Sequence, residues 1–156
     1  RFVITNDGWE HTISDILTIH HYEQDGEKLK QYYLTVEKAL QEVWDSHHKG
    51  AMCDGWDYKG QPIMFTEFGG TAYINNTEGN TEGTENWGYG VGVKDDQEYI
   101  ERLSGLFRTL HSLDYSCGYC YTQVSDVQQE VNGVLFENRK FKVEPKFLKE
   151  VQDERN

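Results

Sequence analysis

Short apolar, β-prone runs alternate with amphipathic segments along most of this chain, and that order constrains the fold more than any single motif does. The candidate strands are residues 2–5, 15–20, 63–66 and 118–124. The candidate helices are residues 28–44, 95–113 and 144–151. Strands that alternate with helices in this way predict an α/β fold with a parallel sheet.

One acidic residue stands where the third apolar run ends. Glu67 follows residues 63–66, and Gly69 and Gly70 come shortly after it. The carboxyl ends of parallel strands converge on a common crevice, so Glu67 is a candidate catalytic carboxylate. The two glycines leave room for a ligand or a tight turn. Strand ends of this kind also occur without a catalytic role, and the local pattern leaves both interpretations open.

Composition excludes some classes of partner. The net charge is −12, from 27 acidic and 15 basic residues, which argues against nucleic acid because phosphate binding needs clustered Lys and Arg. No apolar segment is long enough to predict a membrane span. Aromatic residues make up 13% of the chain. Those in loop-like segments are suited to stacking on sugar faces, and ordinary core packing is the alternative.

Neither a disulfide framework nor a metal or cofactor site is predicted. The three cysteines are too few and odd in number for a framework, and Cys117 and Cys120 match C-x-x-C in form only. His20 and His21 are adjacent in a candidate strand, so their side chains should diverge rather than share a metal ion.

The length of residues 1–156 suits one domain, and residues 71–93 are its least regular part. This segment contains a Thr-Glu-Gly repeat with few apolar residues, which predicts a mobile loop. The chain begins at Arg1 with neither an initiator Met nor a signal-peptide pattern. We therefore expect it to be a piece of a longer protein, and we predict no compartment for it.

Four motifs together resemble glycoside hydrolase family 2, the β-galactosidase and β-glucuronidase family. They are TNDGWE at residues 5–10, DILTIHHY at 15–22, PIMFTEFGG at 62–70 and GYCYTQVSDV at 118–127. Their order and spacing resemble strands five to eight of the family's catalytic barrel. The resemblance implies that the whole chain is the second half of a TIM (β/α)8 barrel, with parallel strands and flanking helices.

The resemblance also implies a retaining glycosidase mechanism. Glu67 matches the family's nucleophile, which attacks the anomeric carbon and forms a covalent glycosyl-enzyme intermediate. Tyr22 matches the strand-six tyrosine, whose hydroxyl lies beside that nucleophile. A buried tyrosine with one ordinary hydrogen bond is the alternative for Tyr22.

Five further residues are candidate substrate contacts: His20, Asn6, Trp9, Trp87 and Tyr121. His20 occupies a place where relatives carry a polar sugar-contacting residue, although a structural histidine is nearly as good an interpretation. Asn6 and Trp9 follow the strand-five segment; Trp9 suits stacking, and Asn6 also suits a turn. Trp87 belongs to a WGYG segment that resembles a substrate-side loop, and Tyr121 matches a pocket-floor aromatic. Asp126 and Glu130 could also contact sugar hydroxyls, or be solvated loop carboxylates.

The second carboxylate of a retaining enzyme has no counterpart in this chain. The family supplies this general acid/base as the Glu of an Asn-Glu pair ending strand four, and no Asn-Glu follows a strand here. The resemblance therefore implies a partner, the rest of the parent barrel, with strands one to four. Four strands cannot close an eight-stranded barrel, so we expect the isolated chain to be inactive and to self-associate or rearrange.

The expected activity is exo-acting hydrolysis of a β-galactoside-like sugar. The loops contain few Lys and Arg residues, which a glucuronide carboxylate would need. The sequence does not decide among galactoside, glucuronide and mannoside. A non-catalytic carbohydrate-binding or structural half-barrel is the alternative function.

Overall fold

The computed structural model describes residues 1–41, 50–73 and 86–153. The elements in those ranges are β1 (Leu17–His21), α1 (Gly26–Tyr32), α2 (Val36–Gln41), β2 (Ile63–Gly69), β3 (Thr71–Tyr73), β4 (Tyr89–Val93), α3 (Asp96–His111), β5 (Ser116–Thr122) and α4 (Pro145–Asp153). In the part of the chain described, β1, β2 and β5 form a parallel sheet in that spatial order. The prediction of an α/β chain with parallel strands and helices is confirmed.

The pairing of β1 with β2 contains one extra residue on β2. Ile19 pairs with Phe65 and His20 pairs with Glu67, so Thr66 has no partner on β1. The register between β2 and β5 shifts at the same place. This β-bulge turns two consecutive side chains, Thr66 and Glu67, to the side of the sheet that faces away from the core.

Residues 2–5 do not form the predicted strand. The Val3 oxygen accepts from the Asp15 nitrogen at 2.8 Å, but the Val3 nitrogen donates to the Asp15 carboxylate at 2.8 Å rather than to a main-chain oxygen. The Ser14 hydroxyl lies 3.3 Å from both the Thr5 nitrogen and the Val3 oxygen. Side chains thus take the main-chain groups that a regular ladder would pair, and Phe2 is 86% exposed.

The predicted helix over residues 28–44 is two short helices in the described range. Asp25 caps α1 by accepting hydrogen bonds from the main-chain nitrogens of Glu27 and Lys28. Thr35 then begins α2, because its hydroxyl accepts from the Lys38 nitrogen at 3.3 Å. This second cap divides the segment into two helices, whereas the apolar spacing alone predicts one continuous helix. Residues 42–49, which include the predicted end of this helix at residue 44, lie outside the described residues.

The main core lies between the sheet and the helices. Its buried members are Leu17, Ile19, Leu29, Tyr33, Ala39, Ala51, Ile63, Phe65, Phe68, Leu106, Leu110 and Leu113. A second cluster packs α3 against β3, β4 and α4 through Tyr73, Val93, Tyr99, Leu103, Val143 and Val151. Among the described helices, none is long and apolar enough to cross a membrane. Because apolar side chains take the helix side of the sheet, polar side chains such as Thr18 and His20 take the other.

The predicted loop over residues 71–93 begins and ends in regular structure. β3 and β4 pair in parallel, with Thr71 opposite Tyr89 and Tyr73 opposite Val93. Residues 74–85, which include the Thr-Glu-Gly repeat, lie outside the described residues. The small sheet follows directly after β2, so it sits beside the carboxyl end of the main sheet.

Candidate active site

Glu67 and Tyr22 meet at the carboxyl ends of neighbouring parallel strands. Glu67 lies near the end of β2, and Tyr22 directly follows β1. The Tyr22 hydroxyl donates a hydrogen bond to Glu67 Oε2 and lies 3.5 Å from Thr122 Oγ1. Burial and the neighbouring Glu67 carboxylate raise the pKa of Tyr22, so its hydroxyl remains a donor at neutral pH. The structure thus brings together the two residues that the sequence paired.

His20 lies between two carboxylates. Its Nδ1 is 3.3 Å from Glu67 Oε2, its Nε2 is 3.2 Å from Asp7 Oδ1, and its side chain is 10% exposed. The contact with Asp7 is at ion-pair distance without hydrogen-bond geometry. Both ring nitrogens therefore face carboxylates of the protein, which favours the structural alternative for His20 over a free sugar contact.

Asp7 is held in place by neighbouring side chains. The Thr66 hydroxyl donates to Asp7 Oδ1 at 2.6 Å. Burial raises the pKa of Asp7, but hydrogen bonds from Thr66 and Thr18 and the nearby His20 outweigh burial and hold that pKa below its usual value. Asp7 is therefore a carboxylate at neutral pH, and with Glu67 it makes this side of the site acidic.

Asn6 and Trp9 belong to a turn that packs on His20. Asn6 Nδ2 donates to the Trp9 carbonyl at 2.6 Å, so the Asn6 side chain is used inside the turn. The Trp9 ring meets His20 edge-on, with centroids 5.3 Å apart. Gly8 allows this approach, since its φ is +99° and an added Cβ would lie 2.6 Å from His20 Cγ. Trp9 is therefore one ring removed from Glu67, and Asn6 follows the turn alternative.

The two glycines after Glu67 make room for aromatic rings of the protein itself. Gly69 has φ +84° and Gly70 has φ +59°, a region that favours glycine. An added Cβ would lie 2.7 Å from Tyr121 Cδ2 at Gly69 and 2.9 Å from Tyr22 Cδ1 at Gly70. The glycines thus serve packing around Tyr22 and Tyr121 rather than leaving an open space.

Tyr121 packs behind Gly69. Its ring meets Phe68 edge-on at 5.6 Å, which ties it to the main core. Its hydroxyl accepts from the Thr71 nitrogen at 3.2 Å and donates to the Asn132 oxygen at 3.3 Å. Tyr121 therefore joins the core to the segment after β5.

Aromatic rings from the segment after β2 cover Tyr22. Tyr89, the first residue of β4, stacks on Tyr22 with centroids 3.5 Å apart and an interplanar angle of 6°. Trp87 meets Tyr89 edge-on at 5.9 Å and is 42% exposed. Trp87 thus lies at the exposed margin of these rings. Sequence patterns do not single out Tyr89. The WGYG segment is recognisable in the sequence, but the pairing of β4 with β3, which brings Tyr89 onto Tyr22, is not.

The two candidate loop carboxylates, and His21, for which no role is predicted, lie elsewhere. Asp126 is buried, and Lys142 Nζ donates to it at 2.7 Å, so it is not available to a sugar. Glu130 accepts from Asn132 Nδ2 at 3.0 Å, and its main chain pairs with that of Trp87. His21 points into the core, where its Nδ1 is 2.6 Å from the Tyr33 hydroxyl and burial lowers its pKa to about 3.

Over the ranges that the structure describes, no group of three or more His, Cys, Asp or Glu side chains could hold a metal ion. The pair best placed to react or to bind is the Glu67 carboxylate and the Tyr22 hydroxyl that donates to it. Such a pair can supply a nucleophile or bind a polar ligand.

Several solved glycoside hydrolases have a similar fold. A β-glucuronidase from Bifidobacterium dentium, complexed with coumarin-3-O-glucuronide, has a TM-score of 0.52 and 16% identity over 88% of this chain and 20% of that chain. A family 2 β-galacturonidase from Eisenbergiella tayi, bound to glycerol, has a TM-score of 0.55 and 18% identity over 89% and 23%. A Ruminococcus gnavus β-glucuronidase has a TM-score of 0.54 and 16% identity over 92% and 22%.

The likeness extends to fold alone at these identities. No protein-family model matches the chain, and no curated protein matches it significantly. The chain spans between 20% and 23% of the length of the three hydrolases named. Its fold is therefore that of a part of larger glycoside hydrolases, among them enzymes of family 2.

Proposed function

We propose that this chain is the second half, strands five to eight, of the catalytic (β/α)8 barrel of a longer retaining β-glycosidase. In this proposal β1, β2 and β5 are strands six, seven and eight, and Glu67 is the nucleophile. The observation that carries the proposal is the hydrogen bond from Tyr22 to Glu67 at the carboxyl ends of adjacent parallel strands. That edge is where barrel enzymes place their reacting groups.

The proposed chemistry uses two steps. Glu67 attacks the anomeric carbon, the glycosidic bond breaks, and the leaving-group oxygen takes a proton from a second carboxylate on the rest of the barrel. Water then attacks the glycosyl-enzyme ester, that second carboxylate accepts the proton, and Glu67 is released. Tyr22 donates a hydrogen bond to the Glu67 carboxylate while no sugar is attached to it. The 156-residue chain alone lacks the acid and is proposed to be inactive.

We propose a neutral, β-galactoside-like sugar as the substrate. Glu67 and Asp7 lie on either side of His20, and their described partners are Tyr22, His20, Thr66 and Thr18 rather than Lys or Arg. A uronic acid would bring a third negative charge to this side of the site, where no Lys or Arg among the described residues is paired with Glu67 or Asp7. The substrate class thus differs from those in the names of the solved glucuronidases and galacturonidase.

Mechanism-based trapping tests the nucleophile. A 2,4-dinitrophenyl 2-deoxy-2-fluoro-β-galactoside needs no protonation of its leaving group, so labelling reports on the nucleophile and does not depend on the general acid. We expect the parent protein to release dinitrophenol stoichiometrically and to carry the fluorosugar on the peptide containing Glu67, as measured by mass spectrometry. Glu67→Gln should abolish labelling, and the control Glu130→Gln should not. A label on another carboxylate would refute the assignment.

A non-catalytic carbohydrate-binding half-barrel is the second candidate. The observation in its favour is the exposed Trp87 ring, whose face is suited to stacking on a sugar. Galactose would then raise the melting temperature of the parent protein, while the fluorosugar leaves it unlabelled. A purely structural half-barrel would show neither the shift nor the label.

A further inference from the structure

We infer that Tyr89 is a positioning residue that holds the Tyr22 ring so that its hydroxyl stays on Glu67; the catalytic consequence, though not the contact, rests on the proposed function. Tyr22 is fixed on three sides. Its hydroxyl lies between Glu67 and Thr122, its ring edge lies against the main chain of Gly70, and its face lies against Tyr89. Of these, Tyr89 alone covers the ring face with another ring.

The main chain fixes Tyr89 relative to Glu67. The Tyr89 nitrogen donates to the Gly70 oxygen at 2.9 Å, three residues after Glu67. The Gly70 nitrogen in turn donates to the Thr122 oxygen at 2.9 Å, so Gly70 connects Tyr89 to the end of β5. The main chain of Tyr89 therefore stays fixed relative to Glu67 as long as β3 and β4 remain paired.

Gln24 supports the same arrangement from the connection between β1 and α1. Its side-chain nitrogen donates to the main-chain oxygen of Tyr22 at 3.0 Å and to that of Gly69. Its side-chain oxygen accepts from the Thr71 hydroxyl at 2.8 Å. The main chains at Tyr22 and Gly69 are therefore held together on the side opposite the hydroxyl. What remains adjustable is the side-chain torsion of Tyr22, and the stacked ring of Tyr89 limits it.

Tyr22 and Tyr89 are also both uncharged at neutral pH. Burial raises the pKa of Tyr22 and of Tyr89, so both phenols are neutral beside the Glu67 carboxylate. Removing the Tyr89 ring would open one face of Tyr22 to water and allow rotamers in which its hydroxyl leaves Glu67.

A coupling experiment on the parent protein tests the contact directly. Tyrosine Cζ is labelled with ¹³C, and the Tyr22 signal is assigned by its loss in Tyr22→Phe. The measured quantity is the change in the Tyr22 Cζ shift caused by Glu67→Gln. We expect Tyr89→Leu to remove most of that change and Tyr89→Phe to retain it. Tyr58→Leu, a matched control whose hydroxyl bonds the Gln61 oxygen at 2.7 Å, should leave it intact.

The outcomes are separable. An undiminished response in Tyr89→Leu would overturn the inference, and loss of the response in Tyr89→Phe would show that the hydroxyl, not the ring, acts. If Tyr89→Leu loses the dispersed tyrosine signals of the folded chain, Tyr89→Met takes its place, since it fills the space without an aromatic face.

In the parent protein, Tyr89→Leu should lower the rate of fluorosugar labelling about 10- to 100-fold, with recovery in Tyr89→Phe. No label on Glu67 in the unmutated protein would reject the proposed function while leaving the shift measurement, and hence the positioning role, intact.

Discussion

Gly70 lies where three constraints on the site meet. Its φ of +59° suits glycine, its oxygen accepts from Tyr89, and its missing side chain admits the stacked rings of Tyr22 and Tyr89. The residue carries no functional group, yet it decides whether the Tyr22 ring can reach Glu67. Two glycines elsewhere, Gly55 and Gly60, have similar φ values without neighbours within 4 Å of an added Cβ.

Gly70→Ala should therefore lower the free energy of unfolding more than Gly60→Ala does. Both variants bear the backbone penalty of a positive φ, about 1–3 kcal/mol, and Gly70→Ala adds a steric clash of about the same size. Urea denaturation of the two variants measures the difference. Equal losses would mean that the rings near Gly70 move aside freely.

The sequence motifs predict some residues of the site and not others. Tyr22 and Glu67 are 45 positions apart, and only their place in two recognisable motifs could pair them. Tyr89 depends on the pairing of β3 with β4 across a long segment, which no local pattern encodes. The β-bulge is visible in the sequence, because the apolar residues that prove to be buried, Ile63, Phe65 and Phe68, are spaced by two positions and then by three.

The segment after β5, residues 123–143, is an element without regular secondary structure that nevertheless has its own buried anchor. Lys142 Nζ donates to Asp126 Oδ1 at 2.7 Å and to the Val131 oxygen at 2.9 Å, and its side chain is 0% exposed. Burial raises the pKa of Asp126 and lowers that of Lys142, and their mutual attraction opposes both shifts. From sequence this segment reads as a polar loop, because its two charged partners are 16 residues apart.

Lys142→Met should destabilise the chain by about 3–5 kcal/mol, because Asp126 would keep a buried charge without its partner. Thermal or urea unfolding measures the loss. The double variant Lys142→Met/Asp126→Asn should recover part of it, since the amide still accepts from the Gly133 nitrogen. Lys146→Met, which breaks the exposed pair with Glu144, is the matched control and should not change the unfolding midpoint measurably. A loss no larger than that of the control would argue against the anchor.

At the scale of the whole molecule, the main sheet ends abruptly on both sides. Over the described residues β1 and β5 are its outer strands, and each has a partner on one side only. Exposed apolar side chains accompany both margins, including Val3 and Ile13 beside β1 and Val124 and Val127 after β5. Unpaired strand edges with apolar neighbours favour association with another chain.

We predict that the isolated 156-residue chain self-associates at micromolar concentration. Sedimentation velocity over a concentration series should show a weight-average mass that rises above that of the 18.2 kDa monomer. Addition of the upstream half of the parent barrel, as a separate chain, should suppress this association by occupying the same edges. A well-folded monomer across the whole series would contradict the prediction.

The β-bulge in β2 gives one strand two consecutive functional side chains on the same side of the sheet, which a regular strand cannot do. With Thr66 present, the Glu67 carboxylate meets Tyr22 while the Thr66 hydroxyl holds Asp7. Deletion of Thr66 would restore regular alternation, leave Glu67 opposite His20 and keep Phe68 on the core side, but it would remove the hydroxyl that donates to Asp7. The inserted residue thus adds a second functional side chain to the strand without moving the first away from its partners.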